Sequence, residues 1–132
     1  MLDHLRKQVT DAIAQASQVS LTTGGIAGLQ TSVLKCESCG LKLYTLIPQT
    51  SDHLVNIENN PECVAMTDRW ELRGTARRVT LSEFPSLALA RMPDAAWSTL
   101  IEIQPKRLQI VRQAGVSDAA TIDIDESSLE GG

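Results

Sequence analysis

A strict alternation runs from Leu41 to Ile47, with Leu41, Leu43, Thr45 and Ile47 on one side and Lys42, Tyr44 and Leu46 on the other. Patterning of period 2 over this length specifies a strand. Pro48 ends it, because proline cannot donate to a ladder. Thr50 or Ser51 then caps a short helix whose apolar Leu54 and Ile57 lie three apart. Asn59-Asn60-Pro61 breaks that helix, and Cys63 to Thr67 starts another strand. A short helix entered from a polar loop presents free N–H groups and the positive end of a dipole, a physical basis for holding an anion such as phosphate.

The rest of the chain reads as more short strands. Val19–Thr23 is followed by Gly24-Gly25, which suits a tight hairpin. Gly28–Lys35 places Leu29, Thr31 and Val33 on one face and Gln30, Ser32 and Leu34 on the other. Cys36–Gly40 is the turn into the strand described above, and connections this short imply antiparallel pairing. Trp70, Leu72, Gly74 and Ala76 alternate with Glu71, Arg73, Thr75 and Arg77; a glycine inside a strand marks a bulge or a close approach. Ser82 N-caps a second inserted helix that Pro93 stops. Trp97–Gln104 and Arg107–Gln113 are two further strands punctuated by Pro105. Ahead of all this, Leu2, Leu5, Val9, Ile13 and Ala16 share one helical face, an amphipathic helix over 2–17 that covers one end of a barrel.

At 132 residues the chain is long enough for one domain with its own core. Tyr44, Phe84, Trp70 and Trp97 are its only aromatics, so Leu, Ile, Val and Ala must fill that core. The expected fold is mainly β: a six- to seven-stranded antiparallel split barrel with an N-terminal helix and two short inserted helices. The domain spans residues 1–113, and residues 114–132 form an acidic tail read as mobile, although Thr121–Asp125 could add an edge strand. The net charge of −4 is concentrated in that tail, which leaves 11 acidic against 12 basic residues in 1–113. A near-neutral body with an acidic tail argues against nucleic acid. No apolar run approaches the ~20 residues that cross a bilayer, so no membrane association is expected. Three cysteines and no secretory pattern at the start suggest a cytoplasmic protein.

Gly40, Tyr44-Thr45, Ser51, His53 and the run Ile57-Glu58-Asn59-Asn60-Pro61 occur in an order that resembles the pyridoxamine 5′-phosphate oxidase-like family of FMN-binding split barrels. The resemblance continues through Trp70–Arg77 and Ile101–Leu108, covering roughly Val19 to Val111. It implies a homodimer with FMN, or another small-molecule ligand, in a cleft between subunits. It also implies a flavoprotein acting as an oxidoreductase on a small molecule. The cofactor-binding candidates carried over are Gln30, Thr31, Ser32, Val33, Leu46, Thr50, Ser51 and His53. The family sets basic residues after the serine, where this chain has Asp52 and His53. Arg69, Arg73 or Arg77 would then supply the charge, from the same subunit or from the partner, and Arg73 completes the candidate set.

Two other readings stand beside it. One is a cofactor-free dimeric binding module on the same scaffold. The other is a thiol or metal protein using Cys36 and Cys39, a pair that supplies only two of the four ligands a structural zinc takes. The simpler view of that pair is a tight turn ending in glycine, with no metal. No catalytic triad, phosphate-loop glycine pattern or paired carboxylates can be recognised, so any chemistry would be the cofactor's.

Overall fold

The computed structural model describes residues 3–110 and 120–123, and side chains from Arg6 to Ile110. Helix α1 (Asp3–Ala14) precedes strands β1 (Gln18–Thr23), β2 (Gln30–Cys39) and β3 (Lys42–Pro48). Helix α2 (Asp52–Asn59) leads into β4 (Glu62–Met66) and β5 (Trp70–Val79). Three 3-10 turns, Leu81–Glu83, Ala88–Arg91 and Pro93–Trp97, precede β6 (Ser98–Ile110) and β7 (Ala120–Asp123). The strands pair in the order β3-β2-β1-β4-β5-β6-β7, and an additional β3–β6 pairing closes the first six into an antiparallel barrel. The expected fold class is therefore the one observed.

Inward residues of β1 to β6 fill the barrel. Leu21, Leu43, Ile47, Leu72, Ile101, Ile103 and Leu108 are all fully buried. Val9 and Ile13 bring α1 onto this core, and the Trp70 indole N–H donates to the Ala12 carbonyl at 3.2 Å. A second, smaller core lies outside the barrel wall, where Tyr44, Leu46 and Leu100 pack with Leu87, Leu89 and Ala95 from the 3-10 segment. Strand β3 is thus buried on both faces, although its sequence alternates. Within this outer layer Tyr44 stands opposite Glu102, and Glu102 opposite Arg77, across β3, β6 and β5. The Tyr44 hydroxyl and Arg77 Nε each donate to the Glu102 carboxylate at 2.8 Å, and Lys42 Nζ lies 3.9 Å away. Burial alone would raise the pKa of Glu102, but these partners outweigh it and hold the carboxyl below its ordinary range.

Several local expectations are corrected. The connection after β1 is the wider loop 24–29 rather than a two-glycine hairpin, and β2 begins at Gln30 and runs to Cys39. The tight turn is Gly40-Leu41, with Gly40 at φ 61°, a conformation glycine adopts without strain. Cys36 and Cys39 therefore sit on a strand and not in a turn. The second inserted helix is replaced by the three 3-10 turns, the last of which opens on Pro93. Pro105 does not divide two strands. It lies inside β6 opposite Gly74, at a register shift that leaves Lys106 without a cross-strand partner on β5. A bulge is where a strand tolerates a residue that cannot donate. Residues 120–123 pair with β6 as an edge strand, so the tail is not wholly outside the sheet.

Gly74 is required by that bulge. A Cβ there would collide with the Gln104 carbonyl oxygen and stand 3.1 Å from its carbon. Gly74→Ala is expected to destabilise the fold by about 1–3 kcal/mol, read as a lower urea midpoint. Because the folded-state pKa of Glu102 is depressed, its contribution is complete above the unfolded value and is lost as pH falls through the folded one. Glu102→Gln should lower the denaturation midpoint at pH 7 and flatten the acid limb below pH ~4.5, the ordinary range of a glutamate.

Candidate functional site

Closing β6 onto β3 leaves a groove between the outer face of β2–β3 and the 3-10 segment. Its volume is about 350 Å³, and it is lined by Val33, Leu34, Lys35, Leu46, Pro48, Met92, Asp94, Trp97 and Ser98. Two hydrogen bonds hold the segment in place. The Gln49 N–H donates to the Trp97 carbonyl at 3.0 Å, and the Leu89 N–H donates to Glu37 Oε1 at 3.1 Å. The Trp97 side chain is 75% exposed and Val33 67%, an unusual investment of apolar surface in open solvent. Ile26 and Leu29 extend that exposed apolar surface along the loop before β2. Lys35 follows Val33 on the outward side of β2, and no carboxylate among the described residues pairs with it.

Of the sequence candidates, Val33 and Leu46 meet in this groove. Thr31 lies further along the same outward face and shares a 3.0 Å hydroxyl contact with Thr22. Gln30 and Ser32 turn the other way, and the Gln30 side chain donates to the Ala27 carbonyl at 3.1 Å. Thr50 is exposed in the loop before α2. Ser51 caps α2 itself: its hydroxyl accepts from the His53 N–H at 3.1 Å, and its carbonyl accepts from Leu54 N at 3.1 Å. Much of the first turn is thus satisfied from within the chain.

Arg73 is the outlier. Strand β5 lies three strands from β2 in either direction around the barrel, and Arg73 points outward there beside Glu71 at 3.9 Å. Within one chain it does not join the other candidates, because closure of the barrel put them on opposite walls. His53 differs from expectation in a second way. It is 2% exposed, with Nδ1 2.7 Å from Thr23 Oγ1 and Nε2 3.0 Å from Ser32 Oγ. Burial lowers its pKa, against a smaller opposing effect of Asp52, so the ring is a neutral internal link and not a cation offered to a phosphate.

Reading the sequence alone missed Lys35, Trp97 and Asn56. Lys35 shares a strand face with Thr31 and Val33, so period-2 counting could have found it. Asn56 is fully buried and follows His53 by three on the same face of α2. Its Oδ1 accepts from Ala27 N at 3.0 Å and its Nδ2 donates to the Gly28 carbonyl at 2.8 Å, fastening the loop 24–29 to α2. No spacing rule marks Trp97, because the segment carrying it has no periodicity.

The cysteine pair does not form a site. Residues three apart on a strand face opposite ways and are separated by ~10 Å along it. Cys36 is buried and Cys39 exposed, and burial pushes the Cys36 thiol up to about 11, so it is protonated at neutral pH. Cys63 is buried likewise and pushed up to about 12 by burial and by Glu62. No cluster of three or more potential metal ligands occurs among the described residues, and none of the described helices is long and apolar enough to cross a membrane.

Comparison with known structures identifies the fold. No family model and no curated protein sequence matches the chain. Solved structures do match. A general stress protein 26 from Bacillus anthracis shares 19% identity over 92% of this chain and 99% of its own, with a TM-score of 0.71. A protein of the pyridoxinephosphate oxidase family from Clostridium acetobutylicum, related to general stress protein 26, shares 17% over 96% and 99%, with a TM-score of 0.70. A heme binding protein from Mycobacterium smegmatis shares 15% over 92% of this chain and 59% of its own, with a TM-score of 0.67. The likeness establishes the fold: this is the split barrel of the pyridoxamine 5′-phosphate oxidase-like proteins.

The buried histidine makes a checkable claim about pH. Its folded-state pKa lies below the unfolded value of 6.5, so the unfolded chain takes up the proton first as pH falls. Stability should be level above pH ~7 and should decline as pH drops from about 6.5 toward the folded value. Urea midpoints from pH 8 to pH 5 measure this, and His53→Asn should remove the slope in that window.

Proposed function

We propose that this chain is a pyridoxamine 5′-phosphate oxidase-like protein that holds FMN in the groove beside Trp97, works as a homodimer, and serves as an oxidoreductase on a small molecule. The observation that carries this reading is an exposed indole and Val33 set against an unpaired Lys35 in one groove. About 350 Å³ falls within the size range of cofactor sites. An apolar wall suits the face of a flat ring, and Lys35 offers the point charge a phosphate needs. A second copy laid on Val33, Leu29 and Ile26 would complete the cleft and bury apolar surface that the monomer leaves in water. When bound, FMN supplies hydride and electron transfer; the chain's own residues bind and orient it and exclude water.

A second reading, a dimeric binding module without cofactor, is favoured by one observation. The α2 N-terminus carries Asp52, a neutral His53 and its own Ser51 cap, and no cation.

The visible spectrum of the purified protein, before and after addition of FMN, separates the two. Bound flavin with a saturable titration supports the first reading, and Lys35→Ala should then weaken FMN by about tenfold or more, the loss of one charge-assisted contact. A colourless protein that takes up neither FMN nor haem supports the second. Sedimentation equilibrium checks the dimer, which Val33→Asp should shift toward monomer.

A further inference from the structure

Surface carboxylates are ordinarily solvated or paired, and on this barrel Glu58 and Glu62 are paired, with Arg78 at 3.0 Å and with Lys106 at 2.9 Å. Asp94 is placed differently. It lies in the wall of the groove, on the 3-10 turn Pro93–Trp97. Its carboxylate enters no ion pair or side-chain hydrogen bond among the described residues. A 3-10 helix completes a turn in about three residues, so side chains that far apart eclipse. Asp94 and Trp97 stand in that relation, and both line the groove. The turn that carries them is anchored. The Ala95 N–H donates to the Met92 carbonyl at 3.0 Å, Ala95 itself is buried in the outer core, and the Trp97 carbonyl accepts from Gln49. An unpaired carboxylate and an exposed indole are therefore held one above the other on a fixed turn.

That pair selects for positive charge. The face of an indole attracts a cation through the ring quadrupole, and a carboxylate beside it supplies the counter-charge. The neighbouring walls, Val33, Leu46, Pro48 and Met92, suit an apolar body attached to such a cation. Lys35 is the one other charged residue of the lining, and it forms no ion pair with Asp94. Both charges of the groove are thus open to an occupant. We propose that Asp94 and Trp97 form a recognition site for a small organic cation, an ammonium nitrogen carried on an apolar body. An anion at this end would meet repulsion from Asp94, and its place is at Lys35. The site does not depend on flavin. With FMN bound and its phosphate at Lys35, the cation belongs to the substrate; in a binding module without cofactor it belongs to the ligand. Both contact residues are exposed, so binding by them alone is weak and falls with salt.

Benzylamine, benzyl alcohol and benzoate test this, since they share nearly one shape and are cationic, neutral and anionic at neutral pH. Each is titrated into the labelled full chain at low salt and followed by amide NMR. Benzylamine should shift Gln49, Ala95, Ala96 and the Trp97 indole saturably, and about tenfold more tightly than benzyl alcohol. Equal binding of the two, or benzylamine shifts confined to the acidic tail, overturns the site. Asp94→Asn should weaken benzylamine by about fivefold and leave benzyl alcohol unchanged. Trp97→Leu keeps an apolar wall and should weaken benzylamine by about threefold. Unchanged benzylamine affinity in either variant counts against the proposal. Lys35→Ala should tighten benzylamine about twofold, by removing a like charge from the groove, and should weaken benzoate; the same loss for both overturns the division of charge. A wild type that takes up no FMN but gives these results sinks the flavin reading and leaves the cation site standing. FMN binding with no preference for benzylamine over benzyl alcohol does the reverse.

Discussion

Pairing of Ser98–Ile103 with Leu43–Pro48 is the interaction on which the other features rest. Without it the sheet is an open ribbon with β3 at one edge, and an edge strand that apolar would invite pairing with other chains. With it, the inner faces of six strands enclose one core. Closure also has an outer consequence. Tyr44, Leu46 and Leu100 project from the wall, too apolar to be left in water, and the segment from Leu81 to Trp97 covers them. The cover stops at Trp97, whose carbonyl is tied to the end of β3, and its edge forms one wall of the groove. The groove is a by-product of how the barrel is closed and lidded.

Two further devices keep the closure in register. Gly74 and Pro105 face each other where β5 and β6 come too close for a side chain. Each residue is poor inside a regular strand and suited to a bulge. On the outer face, Glu102 takes one bond from β3 and one from β5, so a single buried carboxylate spans three strands. Such a group is costly if either partner is missing and so disfavours a slipped pairing.

Helix α2 plays a structural part that its composition disguises. Leu54 and Ile57 anchor it on the core, while His53 and Asn56, both polar, are as deeply buried as they are. These two side chains satisfy the inner ends of β1 and β2 and the loop between them. The helix end expected to face a ligand is in large part a cap for the barrel, and Lys35 lies on the other face of β2.

Much of the architecture was legible in the sequence, because period-2 alternation with glycine and proline punctuation is a local signal that short strands cannot hide. That signal set the strands from Val19 to Val79, the short helix after Ser51 and the bulge at Gly74. It failed where the deciding contacts were distant in the chain. Pro105 reads locally as a stop, and only the facing Gly74 makes it tolerable inside a long strand. His53 stands in the sequence as a cofactor-binding candidate in a first helical turn, and only Thr23 and Ser32, brought in by β1 and β2, make it an internal link. Arg73 and Val33 look equally eligible for one site until closure sets them on opposite walls. The sequence by itself determined which residues face inward; the tertiary structure decided which outward faces meet, since side-chain alternation is a property of one strand and adjacency a property of the closed barrel.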